Sequence, residues 1–184
     1  VGHVIGAVNG AAVGFGASIL LPMDVRIATD AARFGFVFAR RGIVPESASS
    51  WFLPRIVGIS TALEWCYSGR VFTAGEALER GLLRSMHAPD QLMAVARHLA
   101  HDFIDDSAPV SLAMTRQMMW KMLTADHPMD AHQIDSRGVM ERGRSADALE
   151  GITAFREKRK ARFSDRVSAD MPSFFPWWDD RPFE

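Results

Sequence analysis

The stretch "IGAVNGAAVGFGASILLPMDVRIATDAARFGFVFA", residues 5–39, decides how this chain folds. Residues 4–8 are apolar and partly β-branched and end on Asn9-Gly10, a pair that favours a turn, so they read as a buried strand. Residues 11–21 carry Gly14 and Gly16 and run into "SILL", which predicts a glycine-rich loop opening a helix. "MDVRIAT" (23–29) alternates as a second strand, and "ARFGFVFA" (32–39) reads as a third, aromatic one. A strand–helix–strand–strand order with apolar strands predicts an α/β layer rather than a helical bundle.

Beyond Pro54 the apolar period changes to 3.6. "TALE" (61–64) and "TAGE" (73–76) both have capping-box spacing, with Gly69 and Gly81 as helix stops. Residues 91–104 predict an amphipathic helix with Leu92, Val95, Ala96, Leu99 and Phe103 on one face. "SAPVSLAMTRQMMWKML" (107–123) starts another, with Ser107 near its cap and Pro109 in its first turn. Its Met and Trp residues read as core or subunit contact. Residues 129–142 and 145–159 predict two more helices, and the aromatic, proline-containing tail is expected to drape as coil. The expected organisation is an α/β part over 1–106, a helical region over 107–163 and a tail over 164–184.

Composition narrows the function. Lys+Arg number 21 against 22 Asp+Glu, a net charge of −1, which argues against a whole-domain grip on nucleic acid. The single Cys66 excludes an internal disulfide and a cysteine-based zinc cage, and reads as a small apolar filler. The longest apolar region, residues 11–23, is broken by glycines, Ser18 and Pro22 and falls short of the roughly 18 residues a membrane span needs. A soluble, cytoplasmic protein with no membrane partner is expected. The sequence opens at Val1 inside an apparent strand, so a preceding N-terminal part is expected as well.

Two motifs carry chemistry. Glycines before a helix let backbone N–H groups converge on an anion, either phosphate or a carbonyl oxygen that turns negative during reaction. They also permit close helix–sheet packing, and both readings stand for Gly14 and Gly16. The dinucleotide pattern G-x-G-x-x-G fails at Ile19, and no P-loop lysine follows. The second motif is "GIVPESASSWFLP" (42–54), where Glu46 is the one acid, set after Pro45 among apolar and small residues. An acid there suits the first turn of a helix. It equally suits a proton carrier, with Phe36, Phe38 and Trp51 near enough in sequence to desolvate it.

Together with "ALEWCYSGRVFTAGEALERGLL" (62–83) and "EGITAFREKRKARF" (150–163), these motifs resemble the enoyl-CoA hydratase/isomerase, or crotonase, superfamily, in the same order over residues 4–163. The resemblance implies a crotonase-like (ClpP/crotonase) α/β spiral of ββα units followed by C-terminal helices. Residues 1–106 would be the C-terminal portion of that core and 107–163 its trimerising, CoA-contacting helices. It implies a homo-oligomer, trimer or hexamer, acting on acyl-CoA, with coenzyme A part of the substrate and no separate cofactor or metal. Two backbone N–H groups would hold the thioester oxygen as it gains enolate charge. One falls on Phe15, between Gly14 and Gly16; the other belongs to an earlier stretch. Hydratases of the family use two glutamates, at positions that here read Ser18 and Phe38. Isomerases use one acid in a context like "PEGxSS", matched by Pro45-Glu46-Ser47-Ala48-Ser49-Ser50, which makes Glu46 the base. Phe38 and Trp51 would sit beside the acyl group. In "FREKRKARF" (155–163), Lys158 is the first candidate for the CoA phosphates or adenine, against the plainer reading of a solvated, dipole-complementing helix end.

The expected activity is therefore enoyl-CoA isomerisation, with hydration and non-catalytic acyl-CoA binding as rivals. Ser18 lacks the G-x-S-x-G elbow of a nucleophile and reads as a helix-start serine. His98 and His101, three apart on a helix, read as solvated. Arg40 and Arg41 suit either a polar acyl group or a partner subunit.

Overall fold

A computed structural model of the chain describes residues 2–182. It divides into two compact units, His3–Ala100 and residues 101–182 with Gly2. The first unit holds β1 (Ile5–Val8), β2 (Ala11–Val13), α1 (Phe15–Ser18), β3 (Val25–Thr29) and β4 (Arg33–Gly35). A 3-10 turn (Ala39–Arg41) then leads to α2 (Ser49–Val57), α3 (Ile59–Ser68), β5 (Val71–Thr73), α4 (Ala74–Glu79), β6 (Ser85–His87) and α5 (Leu92–Ile104), the last four residues of α5 being counted in the second unit.

The strands form two three-stranded sheets. In the first, β1, β3 and β6 run parallel. In the second, β2 is parallel and β5 antiparallel to β4. Side chains alternate as a period of two requires. Ile5, Ala7, Val25 and Ile27 pack with Leu92, Ala96 and Leu99 of α5. Val8 and Ala28 belong to the other, larger core. Across the second sheet Ala12, Phe34 and Phe72 share one register row, and all three are buried. Trp65 closes that core from α3, its ring stacked 4.1 Å from Phe72. Successive strand pairs followed by helices give the crotonase-like architecture.

Several elements differ from the sequence reading. Residues 11–13 form a strand rather than loop, because β4 offers them a partner. The aromatic strand stops at Gly35, where both neighbours run out: Val13 and Val71 are the last residues paired to it. Phe36 then turns inward to stack on Trp65, at 6.2 Å and 10°. Helix α2 was hidden by Pro54 within it. Helix α3 starts at Ile59 from Gly58, so Thr61 caps nothing. Thr73 does cap α4, accepting from the Glu76 N–H at 3.2 Å. The Glu76 carboxylate, however, leaves the box for the Trp65 indole N–H (2.8 Å) and the Arg70 guanidinium (2.7 Å).

The second unit comprises α6 (Pro109–Met122), α7 (Pro128–Arg142) and α8 (Ala146–Glu157), followed by coil. Ala108 rather than Ser107 takes the cap of α6. The buried Asp147 accepts from the N–H groups of Ser164 (2.7 Å) and Asp165 (3.1 Å). Farther along, Glu141 takes both the N–H and hydroxyl of Ser173 at 2.9 Å. Lys121 lies 4.1 Å over the Trp178 ring. These contacts fasten the tail, together with the Arg142 guanidinium on Asp165 at 2.6 Å. No helix among the described residues is long and apolar enough to cross a membrane.

Glu76 gives a direct test of the larger core. Glu76→Ala strands the N–H of the fully buried Trp65, so urea unfolding should show a loss of about 1–3 kcal/mol. Hydrogen bonds from Arg70 hold the Glu76 carboxyl below its ordinary 4.5. Its stabilising contribution is therefore present above that value and lost as pH falls through the lower folded one. Melting temperature should drop in that acidic window, and less steeply in Glu76→Gln.

Candidate active site

The glycine-rich turn is built around one conformation. Gly14 has φ 61° and ψ −123°, which only glycine adopts readily. Its N–H donates to the Gly35 carbonyl at 2.8 Å, pinning the end of β2 to the end of β4. The chain then enters α1, whose first two N–H groups, on Phe15 and Gly16, take no partner among the described residues. Such leading N–H groups are the ones a helix leaves free for an anion. The Phe15 side chain is turned outward, 60% exposed, leaving its main chain unobstructed by its own ring. Ser18 is fully buried, and its Oγ finds no partner among the described residues, so no base activates it.

Glu46 sits in a tight turn. Its carbonyl accepts the Ser49 N–H (2.9 Å) and the Ser49 hydroxyl (2.6 Å). The two residues between, Ser47 and Ala48, have φ of 50° and 55°. A four-residue turn with both central φ values positive is one that glycine, asparagine and aspartate dominate. An ordinary L-residue there costs roughly 1–2 kcal/mol. Ala48 is the N-cap of α2, and no side chain caps that helix. Glu46 therefore lies outside the first turn, and the helix-cap reading is excluded. Its Oε2 accepts from the Ser47 hydroxyl. Its Oε1 is buried and has no hydrogen-bond partner among the described residues. A carboxylate oxygen removed from water and left unpaired is costly, which makes it a functional candidate.

Pro45 and Ser49, on either side of this acid, line a cavity of about 290 Å³. Phe38 and Ile43 form one wall, Leu53 and Pro54 of α2 another, and Ala62, Leu63 and Cys66 of α3 a third. No charged side chain lines it. Burial pushes the Cys66 thiol up, keeping it a neutral filler. Arg40 is committed elsewhere: its Nε donates to the Ser68 carbonyl at 2.7 Å, tying the 3-10 turn to the end of α3. A Cβ on Gly69 would come 2.8 Å from the Arg40 stem, so glycine is needed at that joint.

Of the expected neighbours of Glu46, Phe38 is buried and lines the cavity. Trp51 does not line it; its ring meets Phe52 edge-on at 4.7 Å, with the Arg55 guanidinium 4.1 Å over its face. Phe36 belongs to the Trp65 stack instead. Lys158 lies in the second unit as the left-handed C-cap of α8, exposed and without a carboxylate partner among the described residues. Its neighbour Arg159 is held by Glu150 and Glu157, both at 2.6 Å. Sequence reasoning missed the α2 wall, although Leu53, Ile56 and Val57 carried helical spacing across Pro54.

Residues 2–166 match the sequence model of the enoyl-CoA hydratase/isomerase family. The chain belongs to this family. It is 36% identical over 164 residues to an enoyl-CoA hydratase of Alternaria alternata, covering 89% of this chain and 55% of that protein. A 1,2-epoxyphenylacetyl-CoA isomerase of Escherichia coli is 31% identical over 169 residues, with 89% and 62% covered. Among solved structures, one described as a probable enoyl-CoA hydratase/isomerase from Mycobacterium abscessus superposes with a TM-score of 0.84 at 32% identity, covering 89% of this chain and 64% of that one. The chain spans little more than half the length of the curated relatives it matches.

Gly14 should not tolerate a side chain, for reasons of torsion rather than space: the nearest atom to an added Cβ is 3.9 Å away. Gly14→Ala is expected to cost about 1–3 kcal/mol in a urea titration.

Proposed function

We propose that this family member acts on an acyl-CoA thioester as an enoyl-CoA isomerase, with Glu46 moving the proton. The single observation that carries the reading is the buried, unpaired Oε1 of an acid that caps no helix. Glu46 takes a proton from C2 of a 3-enoyl thioester. The electron pair of that bond spreads into the carbonyl, whose oxygen becomes negative and is held by the Phe15 N–H. The same carboxyl returns the proton to C4, which leaves the double bond between C2 and C3 and restores the neutral thioester. One acid performs both halves, and no water is consumed.

Hydration in this family would call on acids at the positions of Ser18 and Phe38, and both are buried, uncharged side chains. The cavity lined by the flanking Pro45 and Ser49, though not by Glu46 itself, suits the acyl tail. Its uncharged walls favour hydrocarbon, and an apolar cavity of about 150 Å³ already holds a benzene ring. A tail roughly twice the size of that ring is therefore the expected fit. Lys158 would meet the phosphates of coenzyme A, and assembly as a homotrimer or hexamer belongs to the same proposal.

Hydration is the second reading, favoured by the names of similar relatives, an Alternaria alternata enzyme and a short-chain-enoyl-CoA hydratase of Clostridium acetobutylicum among them. It would need Glu46 alone to direct a water. Supplying 3-enoyl-CoA and 2-enoyl-CoA separately distinguishes the two, and binding without turnover would favour a non-catalytic role. Under the proposal only double-bond migration is seen, and Glu46→Gln lowers its rate by about 10²–10⁴-fold. Filling the cavity gives an independent check. Ala62→Leu should raise KM for a long 3-enoyl-CoA several-fold more than for a four-carbon one, read from initial rates.

A further inference from the structure

We propose that Ser47 is a positioning residue, whose hydroxyl holds Oε2 of Glu46 so that Oε1 alone is presented for proton transfer. This rests on Glu46 being the base. A free glutamate side chain has three rotatable bonds and two equivalent oxygens, so its proton-carrying atom is undefined unless something fixes it. Here the Ser47 Oγ–H donates to Oε2, while Oε1 stays buried with no partner among the described residues. The two oxygens are thereby made different, one anchored and one available.

The backbone points the same way. With φ of 50°, residue 47 occupies a conformation in which glycine or asparagine is at ease and serine is not. The hydroxyl has no structural duty to account for its presence. It caps no helix, since α2 begins without a side-chain cap. Its recorded bond is the one to Glu46. The turn itself is closed by other groups, the Ser49 N–H and hydroxyl on the Glu46 carbonyl. Removing the Ser47 hydroxyl would therefore leave the turn intact and free the carboxylate to wander. Misplacement by about 1 Å can cost up to about 10²-fold in rate.

The test compares Ser47→Gly, Ser47→Asn and Ala48→Gly in the full chain, with Glu46→Gln as reference and 3-enoyl-CoA as substrate. Ser47→Gly should melt at a higher temperature than the parent, because the strain is relieved, yet lose about tenfold in kcat with KM within about twofold. Ser47→Asn suits the left-handed backbone and keeps a donor, so its kcat should recover to within about threefold of the parent. Ala48→Gly relieves the neighbouring strain without touching the hydroxyl and should keep its kcat. Full activity in Ser47→Gly overturns the proposal, as does an equal loss in Ala48→Gly. Should Glu46→Gln keep the full rate, or no enoyl-CoA be turned over, the functional reading fails separately. The positioning is then read from a crystal structure of Ser47→Gly. A Glu46 carboxylate spread over several rotamers supports it, and a single unchanged rotamer sinks it.

Discussion

Much of the first unit depends on how closely the chain passes Gly35. A Cβ there would come 3.2 Å from the Arg70 carbonyl oxygen and 3.3 Å from Val71. On its other side the Gly35 carbonyl takes the Gly14 N–H. One residue without a side chain therefore lets two strands close on β4 at the same level. Its consequences run in three directions. The pin on Gly14 fixes where α1 starts, and so where the Phe15 N–H is left free. The end of the ladder releases Phe36 into the Trp65 stack and Phe38 into the cavity wall. The close approach of residue 70 puts Arg70 within reach of Glu76 and Glu64.

The order of elements was legible because it rests on local periodicity. Strands at Ile5–Val8 and Val25–Thr29 and the helix Leu92–Ile104 follow from alternation and an apolar stripe, and the structure has them within a residue or two. What escaped depends on partners distant in sequence. Residues 11–13 form a strand only because β4 lies beside them. "TALE" and "TAGE" look alike, yet only the second caps a helix, since Gly58 had already started α3 two residues before Thr61. Glu46 was legible as a candidate but not as a choice between cap and base. That choice needed the two residues separating it from α2, and the positive φ of Ser47 and Ala48 has no signature in their side chains. Trp51, expected beside the acyl group, is not among the residues lining the cavity. An indole on a helix can spend its face on a neighbour four residues away, here Arg55.

Strain and unsatisfied polarity coincide at one place. The turn that carries Glu46 has two residues in a costly backbone region and a buried carboxylate oxygen without a donor. Other acids are differently placed: Asp147 takes two backbone N–H groups on Oδ1 and keeps its buried, unbonded Oδ2 3.8 Å from the Arg142 guanidinium, while the half-buried Glu76 takes an indole and a guanidinium. Glu46 differs in that no guanidinium or ammonium group is paired with its carboxylate among the described residues. Leaving Oε1 of Glu46 bare beside an uncharged cavity is the arrangement expected where a ligand completes the bonding.

The distinction between isomerisation and hydration then reduces to what must be held still. Hydration needs an acid to orient a water and a second to deliver a proton, so two carboxylates have to converge on a wet site. Migration of a double bond needs one carboxyl that can reach two carbons of the same chain, and water there is a hindrance. Hydrocarbon walls around Pro45 and Ser49, with hydroxyl and phenyl in place of the two acids, suit the second requirement. Where a bound acyl group displaces water, each interaction with the developing negative charge is strengthened, and the proposed Phe15 N–H donor would gain from it. Displacing water in that way would also raise the cost of letting a carboxylate drift, which is where a hydroxyl fixed to one of its oxygens would count most.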